Sequence, residues 1–489
     1  MSLAADLGIR HVYVLMLENR SFDHMLGFSG ITGTDADTGT STAIRGLTGN
    51  ESNAHNGQTF QVQRGAKLSM PTDPGHEFPE VLQQLCGTGA QYPRGGAYPA
   101  IDNSGFVDSY VAAGGVSPQE IMNCYTPAQL PVLNALAREF VVCDNWHASL
   151  PGPTWPNRMF IHAATSGGLD HSPSVFEIAQ WEAVAGFHFD NGTVFDRLQR
   201  HGIRRRIYSG DDFPMVAALK GIGIGDVRHY DLFAGDIAAA NYADQYIFIE
   251  PSYDVFHQYR DGTSQHPLGD VTKGEALIKQ TYEAIRNSPA WESSLLIVTW
   301  DEHGGFYDHM PPGAATPPGD TGLDSQHNQN GFTFRQYGVR VPAVVISPRV
   351  PKGLIDHRLY DHASISATLA MLFDMNPLTG RDSNANHLDS LITLKAARTD
   401  APERLPAAAT PALTMTATVE TVNPQASANS GNIPAIVHAA MQQDIAATPQ
   451  FRQQIAARVQ TIQTREDARQ YLREVRDKVR PLRADAAAR

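Results

Sequence analysis

The chain of 489 residues predicts an α/β fold, a large domain in which strands alternate with helices. Three observations lead there. The stretches 11–17, 294–300 and 341–347 are apolar almost without interruption, which marks strands buried on both faces rather than the alternation of a half-exposed sheet. The first two end abruptly in polar residues, Glu18-Asn19-Arg20-Ser21 and Asp301-Glu302-His303, and open α/β sheets bind ligands at such carboxyl ends. Between the strands, apolar side chains fall on helical spacing: Ala276, Leu277, Ile278 and Ile285 within 267–290, and Ile365, Leu369 and Leu372 within 360–374.

The other segments have a different grammar. Residues 28–75 are rich in Gly, Thr, Ser and Asn and read as an insertion of loops. Segment 396–432, dominated by Ala, Pro, Thr, Ser and Asn, reads as a linker over the surface. The last part, about 433–483, is helical, with Leu472, Val475, Val479 and Leu482 on one stripe. Length alone would suggest two or three domains. The alternation instead joins 1–395 into one domain, followed by a linker over 396–432 and a helical appendage over 433–489.

Composition excludes whole classes of function. With 42% hydrophobic residues and no run of eighteen apolar ones, the chain is neither disordered nor a membrane channel. Its 51 acidic against 38 basic side chains give a net charge of −13, the wrong balance for a general nucleic-acid binder. Residues 451–489 carry a local +5, so the rest carries −18. Such a basic amphipathic tail either makes a peripheral contact with an anionic membrane or docks on its own domain with a solvated basic face; the second is the plainer expectation. Cys86, Cys124 and Cys143 lack metal-type spacing and read as buried, inert thiols, although one pair could form in an oxidising compartment. The N-terminal residues have no basic region followed by an apolar one, so the expectation is a soluble chain, cytoplasmic as given, or secreted or periplasmic if Met1-Ser2-Leu3 replaces a removed leader.

The polar strand ends carry chemistry. Glu18-Asn19 and Asp301-Glu302 supply four oxygen donors, a hard-cation site if their strands lie side by side. Taken singly, each pair reads as a helix cap or a loop salt bridge. A third segment, 149–158, sets Thr154 in a Pro/Gly-rich turn ahead of a helix expected from 159. A hydroxyl at a helix N-terminus faces free N–H groups and partial positive charge, which favour phosphate oxygens.

Several motifs, in order, resemble one family. Residues 11–27 (HVYVLMLENRSFDHMLG), 151–158 (PGPTWPNR), Gln265-His266-Pro267 with Asp270-Val271 and Gly274-Glu275-Ala276-Leu277, and 299–312 (TWDEHGGFYDHMPP) are similar to the phosphoesterases that include bacterial phospholipases C, plant non-specific phospholipase C and an AcpA-like acid phosphatase. The resemblance covers about residues 9–375. It implies the fold of the alkaline-phosphatase superfamily: a central mixed, mostly parallel sheet with helices on both faces. It also implies one divalent metal held by Glu18, Asn19, Asp301 and Glu302, with Thr154 as nucleophile and further ligand. Oxygen donors favour Ca²⁺, Mg²⁺ or Mn²⁺, with Zn²⁺ or Fe left open. His76 and His266 fall where family members bind phosphate or transfer protons; His303, His309 and His362 are expected to be supporting or structural, and Asn157 and Arg158 to brace the nucleophile turn.

Threonine at 154 inclines the comparison to the phospholipase branch, since the acid phosphatase of the family has serine there. The short helical tail makes the non-haemolytic type, or a phosphatase, the nearer comparison, because haemolytic members carry β-rich C-terminal domains. Trp155 faces either a quaternary ammonium headgroup or its own packing neighbours. The expected activity is hydrolysis of phospholipid to diacylglycerol and a phosphorylated headgroup through a phosphothreonine, with a phospholipid or a small phosphoester as the substrate partner. The alternatives are a broad acid phosphatase on the same site and, less favoured, a non-catalytic lipid-binding protein.

Overall fold

The computed structural model describes residues 3–182, 187, 189–410 and 423–487, so the middle of the expected linker, 411–422, lies outside the described residues. Its centre is a ten-stranded sheet. Across it run Val227–His229, Arg205–Ser209, Tyr246–Glu250, His11–Leu17, Ser294–Trp300, Ala343–Ile346, Val141–Cys143, Leu354–Asp356, Thr32–Asp35 and Ser41–Ala43. Six neighbouring pairs are parallel and three antiparallel, the mixed and mostly parallel sheet expected.

The two predicted seven-residue strands are central neighbours. His11–Leu17 pairs in parallel with Ser294–Trp300, Leu17 opposite Trp300, and every residue of both is buried. Parallel neighbours in this register release Glu18 and Asp301 side by side at one end of the sheet. The third apolar run gives the shorter strand Ala343–Ile346, antiparallel to both neighbours. Pro342, with no N–H to donate to a ladder, stands just before it.

The helices follow the predicted spacing with sharper ends. Val271–Arg286 starts on Asp270, whose carboxylate accepts from the Thr272 N–H at 2.9 Å. Ala363–Phe373 stops where Asp374 turns left-handed at φ 54°. Region 28–75 departs from the expected loops: Thr32–Asp35 and Ser41–Ala43 form a hairpin on the sheet edge, and Ser52–His55 pairs with Gln58–Gln61. These strands bury too few residues to show a hydrophobic pattern.

The C-terminal helices are Ile433–Ala447, Arg452–Gln460 and Arg465–Ala487. Leu472, Val475 and Val479 are buried in the same hydrophobic cluster as the central strands, whereas Leu482 is 40% exposed. Arg483 donates to the Asp212 carbonyl at 2.6 Å and lies over the Phe213 ring. The apolar stripe is therefore spent on the protein itself, and the outward face carries ion pairs such as Arg458 with Glu474 and Arg473 with Glu466. Among the described residues no helix is long and apolar enough to cross a membrane. All three cysteines are free thiols; Cys124 and Cys143 are buried, Cys86 half-buried.

Candidate active site

Each central strand ends in a tight loop. Asn19 adopts a left-handed backbone at φ 56°, and its N–H donates to Asp301 Oδ1 at 3.1 Å. Across from it Gly304 has φ 63°, and a Cβ there would lie 2.3 Å from the Asn19 carbonyl oxygen, so only glycine lets the two loops touch. The Glu302 and Gly304 N–H groups donate to Asp301 Oδ1 at 2.7 Å and Glu302 Oε2 at 2.7 Å. The Asn19 amide donates to Thr154 Oγ1 at 3.0 Å and also to Glu302 Oε1. Five residues from three distant segments thus meet at one point.

Thr154 is the first residue of the helix Thr154–Ala163, which starts five positions earlier than expected from sequence. Pro156 does not stop it, because the first turn has no use for that N–H. Asn157 pins the turn from inside: its amide donates to the carbonyls of Gly152 at 2.9 Å and Pro153 at 3.0 Å, and its Oδ1 accepts from the Leu150 N–H at 3.1 Å. Arg158 reaches back to the strand ends, donating to Asp301 Oδ2 at 2.8 Å and the Leu17 carbonyl at 3.1 Å. Trp155 turns away, buried edge-on to Phe187 and stacked on His438. It takes the packing alternative.

Glu18, Asn19, Asp301 and Glu302 are fully buried at the base of the site. Burial lifts the pKa of all three carboxyls above the ordinary range, repulsion from Asp301 adds to it for Glu18 and Glu302, and the Arg158 guanidinium opposes it for Glu18 and Asp301. Among the described residues, Glu18 Oε2 and Asn19 Oδ1 are buried with no hydrogen-bond partner. Among the described residues, three carboxylates therefore share one guanidinium, with two acceptor oxygens left over. That donor set fits a divalent, oxygen-loving cation.

Above this floor opens a cavity of about 470 Å³ lined by Thr154, His76 and His266. His76 Nδ1 lies 3.3 Å from Glu302 Oε1. The His266 ring is stacked flat on Tyr259, centroids 3.5 Å apart, and its Nε2 lies 3.7 Å from Asp73 Oδ2. Asp73, His76 and His266 present ligand-type atoms all within 4.8 Å of one another. Burial pushes His76 down to about 4 and His266 well below the usual imidazole value, so both are neutral near pH 7.

The other three histidines do not line the cavity. His362 lies beneath the loop, donating from Nε2 to the Asp301 carbonyl at 2.6 Å while Nδ1 accepts from Trp146 at 3.3 Å. His303 makes a 2.7 Å hydrogen bond with Gln84 Oε1 and lies 3.5 Å from Glu302. His309 belongs to a separate buried cluster with Asp23, Asp308 and Arg340.

A model of the phosphoesterase family matches residues 9–376. The chain belongs to the phosphoesterase family. As a phosphoesterase it is a phosphoric ester hydrolase. Non-specific phospholipase C3 of Arabidopsis thaliana is 34% identical to it over 412 residues, 81% of this chain and 76% of that one. Phospholipase C A of Mycobacterium tuberculosis is 27% identical over 388 residues, 73% of this chain and 71% of that one. The description of the phosphoesterase fold rests on the sheet itself; a solved protein in the alkaline phosphatase superfamily from Vibrio parahaemolyticus overlaps 52% of this chain and 64% of its own, with TM-score 0.32 and 18% identity.

Sequence reading missed several residues of this phosphoesterase site. Tyr259 and Asp73 stand beside the histidines, and Asn432, at the end of the expected linker, donates its amide to Glu18 Oε1. Asp73 precedes His76 in the Asp-Pro-Gly-His step and was legible there; Tyr259 and Asn432 carry no local signal.

Proposed function

We propose that this phosphoesterase is a metal-assisted phospholipase C that cleaves phospholipid to diacylglycerol and a phosphorylated headgroup through a phosphothreonine at Thr154. One observation carries the reading: Thr154 lines the cavity with His76 and His266, and its Oγ1 is hydrogen-bonded at 3.0 Å to Asn19, whose neighbours Glu18, Asp301 and Glu302 are fully buried carboxylates. A divalent cation held by Glu18, Asn19, Thr154, Asp301 and Glu302 supplies, when bound, a lowered hydroxyl pKa and charge compensation for a phosphate oxygen.

The chain's own groups do the rest. The Asn19 amide and the pinned turn hold the hydroxyl oxygen in place for in-line attack. Free N–H groups at the start of Thr154–Ala163 favour the phosphate oxygens. The Thr154 oxygen, its own proton released to water, bonds to phosphorus as the bond from phosphorus to the glycerol oxygen breaks, and that glycerol oxygen takes a proton from His76 or His266. A phosphate anion in the cavity raises the pKa of both imidazoles and so lets them carry that proton. Water then attacks the phosphothreonine and gives a proton to the same imidazole, while the departing Thr154 oxygen takes up a proton from solvent and returns as the free hydroxyl.

The cavity walls carry Asp73, Glu77, Glu80 and Glu177, and among the described residues its lining contains neither lysine nor arginine. Such a mouth favours a cationic headgroup, choline or ethanolamine, over an anionic one. The test is a substrate panel. Phosphatidylcholine and phosphatidylethanolamine should turn over faster than phosphatidylinositol, and p-nitrophenylphosphorylcholine faster than p-nitrophenyl phosphate. A reversed ratio for the two nitrophenyl esters would replace the phospholipase by a phosphomonoesterase.

A further inference from the structure

Residues 423–432 follow a low-complexity stretch and precede the C-terminal helices, yet their last four, Asn429, Ser430, Gly431 and Asn432, line the same cavity as His76. Asn432 is 5% exposed. Its side-chain amide donates to Glu18 Oε1, a residue 414 positions earlier in the chain. Its backbone N–H donates to the Tyr259 hydroxyl at 3.1 Å, and the Tyr259 ring lies flat on His266. A single residue therefore touches the cation floor and, through Tyr259, the histidine wall.

The strap is held from behind by the start of the last helix. The Ala428 N–H donates to the Gln463 carbonyl at 2.8 Å, the Arg465 N–H to the Ala426 carbonyl at 2.9 Å, and the Arg465 guanidinium to Ser430 Oγ at 2.9 Å. Immediately after Asn432 begins the helix Ile433–Ala447, whose buried face belongs to the main hydrophobic cluster. Gly431 is needed for the approach: its φ is 50°, and a Cβ there would lie 2.2 Å from the Tyr259 hydroxyl.

We infer that the C-terminal segment is a built-in part of the catalytic centre and that Asn432 is a positioning residue for the cation site. The amide hydrogen-bonds Glu18 Oε1 and, with Ser264 beside the same carboxylate, helps fix its orientation. Without the amide the buried carboxylate keeps only its Ser264 contact, and its orientation toward the other donors loosens. The helical appendage then has a role distinct from lipid contact: it brings a neutral amide donor to a site whose own strands supply acidic groups. The inference rests on the reading of Glu18 as a cation ligand.

The experiment uses the full chain. Mn²⁺ and Ca²⁺ affinities are measured by chelator competition for the wild type and for Asn432→Ala, alongside the melting temperature of the metal-free proteins and the kcat and KM of the loaded ones. The variant is expected to bind either cation about 10- to 100-fold more weakly, the usual cost of losing a hydrogen bond behind a metal ligand. Its metal-free melting temperature should stay close to that of the wild type, and excess cation should restore much of kcat. Unchanged affinity overturns the inference, as does weaker binding that only tracks a collapse in melting temperature. If Asn432→Ala does not fold, Tyr259→Phe tests the same link, since it keeps the ring on His266 and removes the hydroxyl that holds the Asn432 backbone. That variant is expected to bind cation about threefold more weakly, on the order of one weak hydrogen bond; unchanged affinity in it overturns the proposal too. A wild type that binds no cation removes both this inference and the role of Glu18. A reversed substrate ratio with the Asn432 effect intact removes the phospholipase reading alone.

Discussion

Thr154 is 5% exposed, and its hydroxyl oxygen accepts a hydrogen bond from Asn19 inside a turn pinned by Asn157. Those contacts separate the chemical role of the residue from its structural one. Thr154→Ala removes one neutral hydrogen bond, worth about 1 kcal/mol, from a turn whose three Asn157 contacts remain. The fold should therefore survive. Turnover should fall by on the order of 10³-fold or more, because water alone replaces a positioned nucleophile. The measurement is steady-state hydrolysis together with mass spectrometry of acid-quenched enzyme. Wild type should show a trapped phosphothreonine and the variant none. Wild-type turnover in Thr154→Ala would take the nucleophile's role away from this residue.

At the scale of elements, the buried cluster of Asp23, Asp308, His309 and Arg340 ties the helix Phe22–Leu26 to the loop after Ser294–Trp300. Arg340 donates to Asp308 at 2.9 Å and Asp23 at 3.0 Å, and His309 Nδ1 meets Asp23 Oδ2 at 2.7 Å. Burial alone would lower the His309 pKa, but the hydrogen bond and charge of Asp23 outweigh it, so the net shift is upward from 6.5. A raised folded-state value means that the charged imidazole stabilises the fold below its unfolded pKa and loses that contribution as pH rises through the folded one. His309→Gln should therefore cost more stability at about pH 5.5 than at about pH 9. Urea unfolding at the two pH values reads the difference, and equal costs would show that the imidazolium contributes nothing. The elements themselves were legible in proportion to their burial. His11–Leu17 and Ser294–Trp300 were read to the residue because all their side chains are inside. Thr32–Asp35 and Ser41–Ala43 were invisible because short strands of small polar residues at the end of a sheet resemble loops in sequence. The start of Thr154–Ala163 was misplaced because Pro156 reads as a breaker anywhere but in a first turn.

Across the whole molecule the net charge of −13 obscures the arrangement that matters. The strand-end pairs Glu18-Asn19 and Asp301-Glu302 were legible because each follows an apolar run, and the parallel register places them side by side. Asn432 was not, because its partner Glu18 is 414 positions away and its neighbours are small residues with no periodicity. The resulting centre concentrates three buried carboxylates around one guanidinium, an arrangement that is costly for the protein alone. Like charges in a desolvated site repel strongly, and a bound cation would convert that repulsion into attraction. Cation removal should thus lower stability as well as activity, since anything that binds the native state alone stabilises it, by about 2.7 kcal/mol at a hundredfold excess over its Kd. Dialysis against a chelator, with removal confirmed by elemental analysis, should depress the melting temperature and abolish hydrolysis. Adding back Ca²⁺, Mg²⁺ or Mn²⁺ should restore both, in an order that identifies the preferred ion. If the metal-free protein keeps its melting temperature and its activity, the acidic floor is not a cation site. The charge on Thr154's surroundings would then have to be balanced by protonated carboxyls, and the nucleophile would need a different means of activation.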